Sequence, residues 1–222
     1  MRVTRTIPIV FCRVGDPVGS GFVDGLARLG GNVTGFTAFE TSMGLKWLEL
    51  LKEASPRLTH VSLLFNPKTA PHVESFLRSI QAAASSLGIA AQPARVQNTA
   101  EIEQAIRAAG QAGAGLAAMP DTFLVDHRGL IIRLAAEHGI PAIYTNRIFA
   151  AEGGLISYGF EVMAMYRSAA SYADRIIRGA RPSELPVQTP TTFQLAINLK
   201  TATSLGVTIP STLLARADEV IE

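Results

Sequence analysis

The stretch from residue 60 to residue 96 constrains the fold more than any other part of the chain. It opens on an apolar run, residues 61–65, which is too short for a helix and is followed by Asn-Pro. Apolar residues then recur at steps of three and four over residues 73–87, as on one helix face, until Gly88 ends the pattern. A second short run, residues 90–96, follows. Strand, helix and strand without a hairpin form a βαβ unit, which predicts a parallel sheet covered on both faces.

Similar units follow along the chain. Strands are predicted to start near residues 60, 90, 114 and 141, with apolar helical patterns between them. Asn98, with Glu101 three residues later, indicates a capping box at the start of one helix. Further short strands are predicted at residues 7–11, 33–39, 155–158 and 193–199, a short helix at 22–29, and a last amphipathic segment from residue 210. This spacing is typical of a doubly wound α/β sheet.

Composition and charge exclude several classes of protein. A chain of 222 residues with 48% hydrophobic and 17% charged residues has ample core for one large domain or two small ones. The net charge of +2 is scattered and forms no basic block, which argues against a nucleic-acid partner. The single cysteine, Cys12, cannot form an internal disulfide, and no run of 18 apolar residues is present to span a membrane.

Catalytic and metal-binding motifs are not recognisable in the sequence. There is no HExxH, no paired cysteine, no GxSxG elbow and no Walker A loop. The histidines share no short motif with a nucleophile and are interpreted as solvated or capping residues; they are His60, His72, His127 and His138. We therefore expect a protein that is not an enzyme, with no metal site and no cofactor.

Polar residues follow the ends of the predicted strands, where ligands bind in open parallel sheets. They are Asp16, Asn66, Asp121, Thr122, Thr145, Asn146 and Glu161, with the aromatic residues Tyr144 and Tyr158 beside them. Carboxylates, an amide, hydroxyls and phenol rings suit a small zwitterion, or a polar ligand with a flat apolar part. The same residue types also form turns and caps, which is the alternative interpretation at each position.

Several segments resemble one known family. They are IPIVF, GDPVGSG, LARLGGNVTG, LLFNP, GIPAIY, GGLISYG, YRSAASYADRIIRGARPSELPVQ and AINLKTATSLGVTIPSTLLARADEVIE. Together they are similar to ABC-transporter substrate-binding proteins that include tryptophan- and phenylalanine-binding receptors, over essentially all of the chain. The resemblance implies a type I periplasmic-binding-protein fold, with two doubly wound parallel-sheet lobes. A small polar solute, such as an aromatic or other amino acid, would close between them.

The resemblance also implies a division of the chain. Residues 1–45 and 160–180 would form part of lobe one, residues 46–155 lobe two, and residues 181–222 a crossover and a C-terminal segment without an assigned lobe. Family members carry a signal peptide and about half of lobe one before the IPIVF strand. We therefore expect an N-terminally truncated chain whose incomplete lobe one could pair with a second copy as a homodimer.

The function implied by the resemblance is that of a non-catalytic solute receptor of an ABC importer. It would be periplasmic and would dock on ABC permease subunits after the lobes close on the solute. The alternatives are a ligand-sensing effector domain, which shares the fold, and an α/β enzyme of unassigned reaction.

Individual site residues are carried over from the resemblance one at a time. Asp16 matches the DPV motif, Asn66 the NP after the first strand of lobe two, and Asp121 with Thr122 the loop after its third strand. Asp121 would pair with a ligand ammonium group, while Asn66 or Thr122 would hold a carboxylate. Tyr144 or Tyr158 would pack on an apolar side chain. The chain departs from its amino-acid-binding relatives at two positions, with Asn146 in place of an acidic residue and Glu161 in place of Asp.

Overall fold

The computed structural model describes residues 4–26, 31–38 and 42–222. The strands are β1 (Ile9–Val14), β2 (Val33–Thr37), β3 (His60–Phe65), β4 (Ala90–Arg95), β5 (Gly115–Ala118), β6 (Ala142–Tyr144), β7 (Ile156–Phe160), β8 (Phe193–Asn198) and β9 (Glu219–Ile221). The helices are α1 (Ser42–Ala54), α2 (Pro71–Ser86), α3 (Thr99–Gln111), α4 (Thr122–Asp126), α5 (Arg128–Glu137), α6 (Arg147–Ala151), α7 (Val162–Ile177), α8 (Leu199–Ser204) and α9 (Ser211–Leu214). Within these described residues, no helix is long and apolar enough to cross a membrane.

The chain divides into two compact units. Unit 1 comprises Met1–Glu40 and Phe160–Phe193, and unit 2 comprises Thr41–Gly159 and Gln194–Glu222. The C-terminal segment, which the sequence leaves without an assigned lobe, belongs to unit 2 from Gln194 onwards.

The larger sheet has the strand order β4-β3-β5-β6-β7-β8-β9. Its pairs β3–β4, β3–β5, β5–β6 and β6–β7 are all parallel, as the sequence predicts for successive βα units. The four predicted strand starts lie within one residue of the observed ones. The expectation of an α/β fold with a mainly parallel sheet is therefore confirmed.

Local signals explain why the central elements begin and end where they do. Helix α2 has Pro71 in its first turn, where the missing N–H costs no helical hydrogen bond. It is followed by Gly88, whose φ of 65° is readily adopted by a residue without a Cβ atom. Helix α3 is capped by the Asn98 side chain, which accepts a hydrogen bond from Glu101 N at 3.0 Å. The predicted N-cap at Asn98 is thus confirmed, but the reciprocal half of the capping box differs, because the Glu101 carboxylate accepts from Gln97 N at 2.8 Å and from the Asn98 side chain.

The core of unit 2 occupies both faces of its sheet. On one face, α3, α5 and α6 bury a cluster that includes Ile102, Ile106 and Ile131, each with no exposed surface. Helices α1 and α2 bury Trp47 and Ile80, which are 2% and 1% exposed. Complete burial of a large apolar side chain contributes roughly 1.5–3 kcal/mol, so this core holds the strand ends in place.

Unit 1 is built around the parallel pair β1–β2, with Ile9 opposite Val33. The segment after α7 extends this pair, because Gln188 N donates to the Gly35 carbonyl at 3.0 Å and Thr37 N donates to the Gln188 carbonyl at 2.8 Å. Helix α7 packs against these strands and buries a cluster of Phe36, Met165, Tyr172 and Leu185. An isolated pair of strands is marginally stable, so the added segment and helix support it.

Two expectations for local structure are corrected, and a third segment is assigned its elements. The described residues 22–26 of the helix predicted at 22–29 form bends, because Phe22 N and Val23 N both bond the Pro17 carbonyl and Gly21 has a φ of 69°. The remaining predicted residues, 27–29, lie outside the described ones. The strand predicted at residues 7–11 is instead Ile9–Val14, so that the half-buried Cys12 lies within it and not after it. The last amphipathic segment forms both a short helix, α9, and a strand, β9.

Strand β4 forms one edge of the larger sheet. Pro93 lies in its middle, in register with Leu63 of β3. Proline has no backbone N–H and is therefore found within sheets on edge strands, which agrees with the position of β4.

Candidate functional site

Two of the predicted site residues meet at the carboxyl ends of β3 and β5. These strands are parallel neighbours, so the loops that follow them leave the same edge of the sheet. Asn66 N donates a hydrogen bond to Asp121 Oδ2 at 2.7 Å, and both residues are buried. The sequence prediction that these side chains lie at one edge agrees with this geometry.

The Asp121 carboxylate is engaged by three donors of the protein itself. Its Oδ1 accepts from the Thr69 hydroxyl at 2.5 Å and from Phe123 N at 2.9 Å, and its Oδ2 accepts from Asn66 N. It is also the N-cap of α4. Because both oxygens already have partners and the residue is only 7% exposed, Asp121 is placed to hold the two loops together.

The neighbouring polar residues differ in their solvent exposure and in the hydrogen bonds that they already form. The Asn66 side-chain oxygen accepts from Lys68 N at 2.9 Å, which closes a local turn. Thr122, the first residue of α4, is exposed. Asn146 is half-buried and caps α6, with its Oδ1 accepting from Ile148 N at 3.1 Å. Of these residues, Thr122 and Asn146 leave the most side-chain surface for a ligand.

The end of β7 is held closely against the loop after β6. A Cβ atom added to Gly159 would lie 2.0 Å from the Thr145 carbonyl oxygen, so this approach requires glycine. One residue earlier, the Tyr158 carbonyl accepts a hydrogen bond from Trp47 Nε1 at 2.7 Å. Burial raises the pKa of the Tyr158 phenol, and the negative charge of Asp218 raises it further. Tyr158 therefore stays protonated at neutral pH.

Tyr144 lies in the interior of unit 2. It is 1% exposed, and its ring stacks on Phe149 with 4.6 Å between the centroids and 14° between the planes. It belongs to the same apolar cluster as Leu116 and Ile131. The structure therefore places Tyr144 in the core of unit 2, apart from the exposed Thr122.

The buried phenol of Tyr144 predicts a loss of stability at alkaline pH. Burial raises its pKa above the ordinary value of about 10, while the phenol of the unfolded chain ionises at about 10. Its contribution to stability is therefore complete below pH ~10 and is lost as the pH rises further. We expect the free energy of unfolding to fall less steeply above this pH in Tyr144→Phe than in wild type. Equal slopes in denaturant titrations would contradict the prediction.

In unit 1, Asp16 forms a turn at the end of β1. Its Oδ1 accepts a hydrogen bond from Gly19 N at 2.7 Å. A Cβ atom added to Gly19 would lie 2.1 Å from Asp16 Oδ2, so a larger residue there would displace the Asp16 carboxylate from this turn. Asp16 is half-buried, and its carboxylate shapes the loop that follows the strand.

Glu161 lines a small cavity within unit 1, of about 80 Å³. The other lining residues are Phe36, Ala164, Met165, Ser168, Gln188, Thr189, Pro190, Thr191 and Thr192. The Glu161 carboxylate forms an ion pair with Arg167 at 2.8 Å. The sequence predicts only a crossover in this part of the chain. It does not predict that residues 188–192 form a polar wall of the cavity. The signal available was the unusual run of Thr-Pro-Thr-Thr at residues 189–192.

Metal binding has no support in the described residues. Among residues 4–26, 31–38 and 42–222, no three His, Cys, Asp or Glu side chains are grouped so that they could hold a metal ion.

Three known proteins illustrate what the chain is similar to. It is 26% identical over 204 residues to a tyrosine-binding protein from Clostridioides difficile (strain R20291), covering 91% of this chain but only 58% of that protein. A conserved domain protein from Vibrio cholerae is 30% identical with a TM-score of 0.89, covering 98% of this chain and 72% of the other. An ABC domain in complex with L-Trp from Streptococcus pneumoniae is 23% identical with a TM-score of 0.88, covering 98% and 75%.

The fold comparison and the family comparison agree. The similarity to these structures, and more distantly to a periplasmic binding ribose operon repressor from Lactobacillus acidophilus with a TM-score of 0.57, identifies the type I periplasmic-binding fold. The sequence matches the description "ABC transporter substrate binding protein" over residues 1–221. The chain therefore belongs to the ABC transporter substrate-binding protein family.

Proposed function

We propose that this chain is the solute-binding component of an ABC importer and that its solute is an amino acid with an aromatic side chain. The family match over residues 1–221 carries the proposal. The amino acid class is supported by the tyrosine-binding relative and by the similar structure in complex with L-Trp. The chain spans 58% of the length of the tyrosine-binding relative, so its ligand and partners are inferred from a partial match.

The polar edge of unit 2 suits such a ligand. Asp121 and Asn66 would position the loops, since their polar atoms already bond to one another and to Thr69 and Lys68. Thr122, with its exposed hydroxyl, and Asn146 would then contact the polar groups of the ligand. The half-buried ring of Tyr158 would pack on an apolar side chain.

The remaining parts of the proposal follow from family membership. The protein would act in the periplasm, would deliver its solute to permease subunits and would not alter the solute chemically. A homodimer is not included, because neither the family match nor the similar structures support one.

Calorimetric titration of this chain with L-tyrosine, L-tryptophan, L-phenylalanine and D-ribose tests the proposal directly. We expect heat of binding and a raised melting midpoint with one or more of the aromatic amino acids and none with ribose. A ligand at a hundred times its dissociation constant stabilises the native state by about 2.7 kcal/mol, which a thermal melt detects easily. The bound amino acid should be recovered unchanged. Binding of ribose alone, or no binding of any amino acid, would contradict the proposal.

A further inference from the structure

We propose that a cavity on the α3 side of strands β3 and β4 binds an uncharged, planar heterocycle of the nucleobase type. The cavity lies within unit 2 and has a volume of about 430 Å³, which is in the usual range for small-molecule sites. The residues that we assign to solute binding, Thr122, Asn146 and Tyr158, do not line it. The inference is therefore independent of the proposed function.

The cavity exists because α3 leaves the edge of the sheet uncovered. Helix α3 packs over β3 and β5, whereas β4 is the edge strand. Side chains at every second position of a strand share one face, and Ser62 of β3 is in register with Gln92 of β4. The face that these two strands turn towards α3 therefore carries His60, Ser62, Ala90, Gln92 and Ala94, all of which line the cavity.

Alanine residues form both long walls of the cavity. On the helix side, Ala105, Ala108 and Ala112 recur at steps of three and four, as on one helix face. On the strand side, Ala90 and Ala94 share one face of β4. Because a methyl group reaches only a short way from the backbone, two facing alanine walls leave a slot between the sheet and the helix. A flat ring in this slot would have apolar contacts on both of its faces.

Uncharged polar groups surround the slot. The side chains of Ser62, Gln92 and Gln104 line the cavity and have no hydrogen-bond partner among the described residues. A carboxamide offers both donors and an acceptor, and that of glutamine can pair with two adjacent groups on the edge of an adenine ring. Gln92 lies on the strand wall and Gln104 on the helix wall, so the cavity offers a ring carboxamides from both walls.

The ionisable groups that line the cavity already have partners. Arg95 donates to the Glu74 carboxylate at 2.5 and 2.9 Å. The Glu101 carboxylate accepts two hydrogen bonds from the loop before α3, each at 2.8 Å. The His60 ring contacts the Thr59 hydroxyl at 2.9 Å. A phosphate or a zwitterionic amino acid would therefore find no free counter-ion among the described lining residues, which favours an uncharged ligand.

Calorimetric titration of the full chain with adenine, and with purine, which lacks only the amino group, tests this inference. We expect adenine to bind more tightly than purine. The double variant Gln92→Met with Gln104→Met should weaken adenine binding by roughly 5- to 100-fold, at about two- to tenfold for each carboxamide, and remove most of its advantage over purine. Ala108→Leu fills the slot and should abolish binding of both compounds. Ala100→Leu is the matched control, because Ala100 is an exposed residue of α3 that does not line the cavity.

Three results would overturn the inference. Wild type that binds no adenine up to the solubility limit is the first. Adenine binding that survives Ala108→Leu is the second, because the compound would then occupy another place. Equal losses in Ala100→Leu and Ala108→Leu are the third, because the substitutions would then act through the helix and not through the cavity. Circular dichroism melts establish that each variant is folded. Binding of L-tyrosine should be unchanged in Ala108→Leu, so that this inference and the proposed function fail separately.

Discussion

Replacing Asp121 with alanine is expected to lower the free energy of unfolding of unit 2 by roughly 2–4 kcal/mol. The substitution removes the N-cap of α4, which contributes about 1 kcal/mol. It also leaves the buried Asn66 N–H without its acceptor, at about 1–3 kcal/mol, whereas the hydroxyl of the exposed Thr69 can bond to water instead. Denaturant titration followed by tryptophan fluorescence measures this change, because the single tryptophan, Trp47, lies in α1 of unit 2 and is 2% exposed.

Asn146→Ala is the matched control for this substitution. Asn146 caps α6 with one hydrogen bond, to Ile148 N at 3.1 Å, and is only half-buried. Its loss should cost about 1 kcal/mol, which is the usual value for a cap. If Asp121→Ala were no more damaging than Asn146→Ala, the carboxylate would not join the loops as described.

Gly159→Ala should also be strongly destabilising. The added methyl group would lie 2.0 Å from the Thr145 carbonyl oxygen and 3.0 Å from its carbonyl carbon, which are backbone atoms that cannot rotate away. Either β7 or the loop at Thr145 and Asn146 must move, and overpacking of this kind costs about 1–3 kcal/mol. Because that loop carries Asn146, we also expect weaker ligand binding. Urea unfolding and calorimetry on the same preparation measure both effects.

A second glycine of unit 2, Gly129, has room for a side chain and is the control for Gly159→Ala. Gly129 lies in the first turn of α5, and a Cβ atom added there has no heavy atom within 4 Å. Gly129→Ala should therefore stabilise the chain by about 0.5–1 kcal/mol, since alanine loses less backbone entropy in a helix. Similar effects of the two substitutions would show that the close approach at Gly159 does not constrain the loop.

The central sheet could be predicted because its signals are local. The apolar run before Asn66 and the capping signal at Asn98 each lie within a few residues of the element that they define. The C-terminal segment differs, because its strand depends on a distant partner: Asp218 N donates to the Leu195 carbonyl at 2.9 Å, and Leu195 N donates to Asp218 Oδ2 at 2.7 Å. Pairing across 23 residues leaves no mark on the spacing of apolar residues.

The sequence predicts which loops lie together at the sheet edge, but not the hydrogen bonds that their side chains form. The loops after parallel strands follow from topology, so Asn66 and Asp121 were placed together correctly. Which polar atoms remain available depends on donors far along the chain, and Thr69 lies 52 residues before Asp121. The burial of Tyr144 depends on its stacking with Phe149, and strand alternation over three residues is too short to assign its face. The wall at residues 188–192 forms only because Gln188 pairs with β2.

Pro93 bears on how this protein behaves at high concentration. An unprotected sheet edge offers a row of N–H and C=O groups onto which a strand from another molecule can add, and repeated addition leads to aggregates. At the β4 edge, a strand added by another molecule would meet a backbone nitrogen that cannot donate, in the middle of the six residues Ala90–Arg95. The proline therefore interrupts the row of donors at this edge, which disfavours the addition of a strand from another molecule.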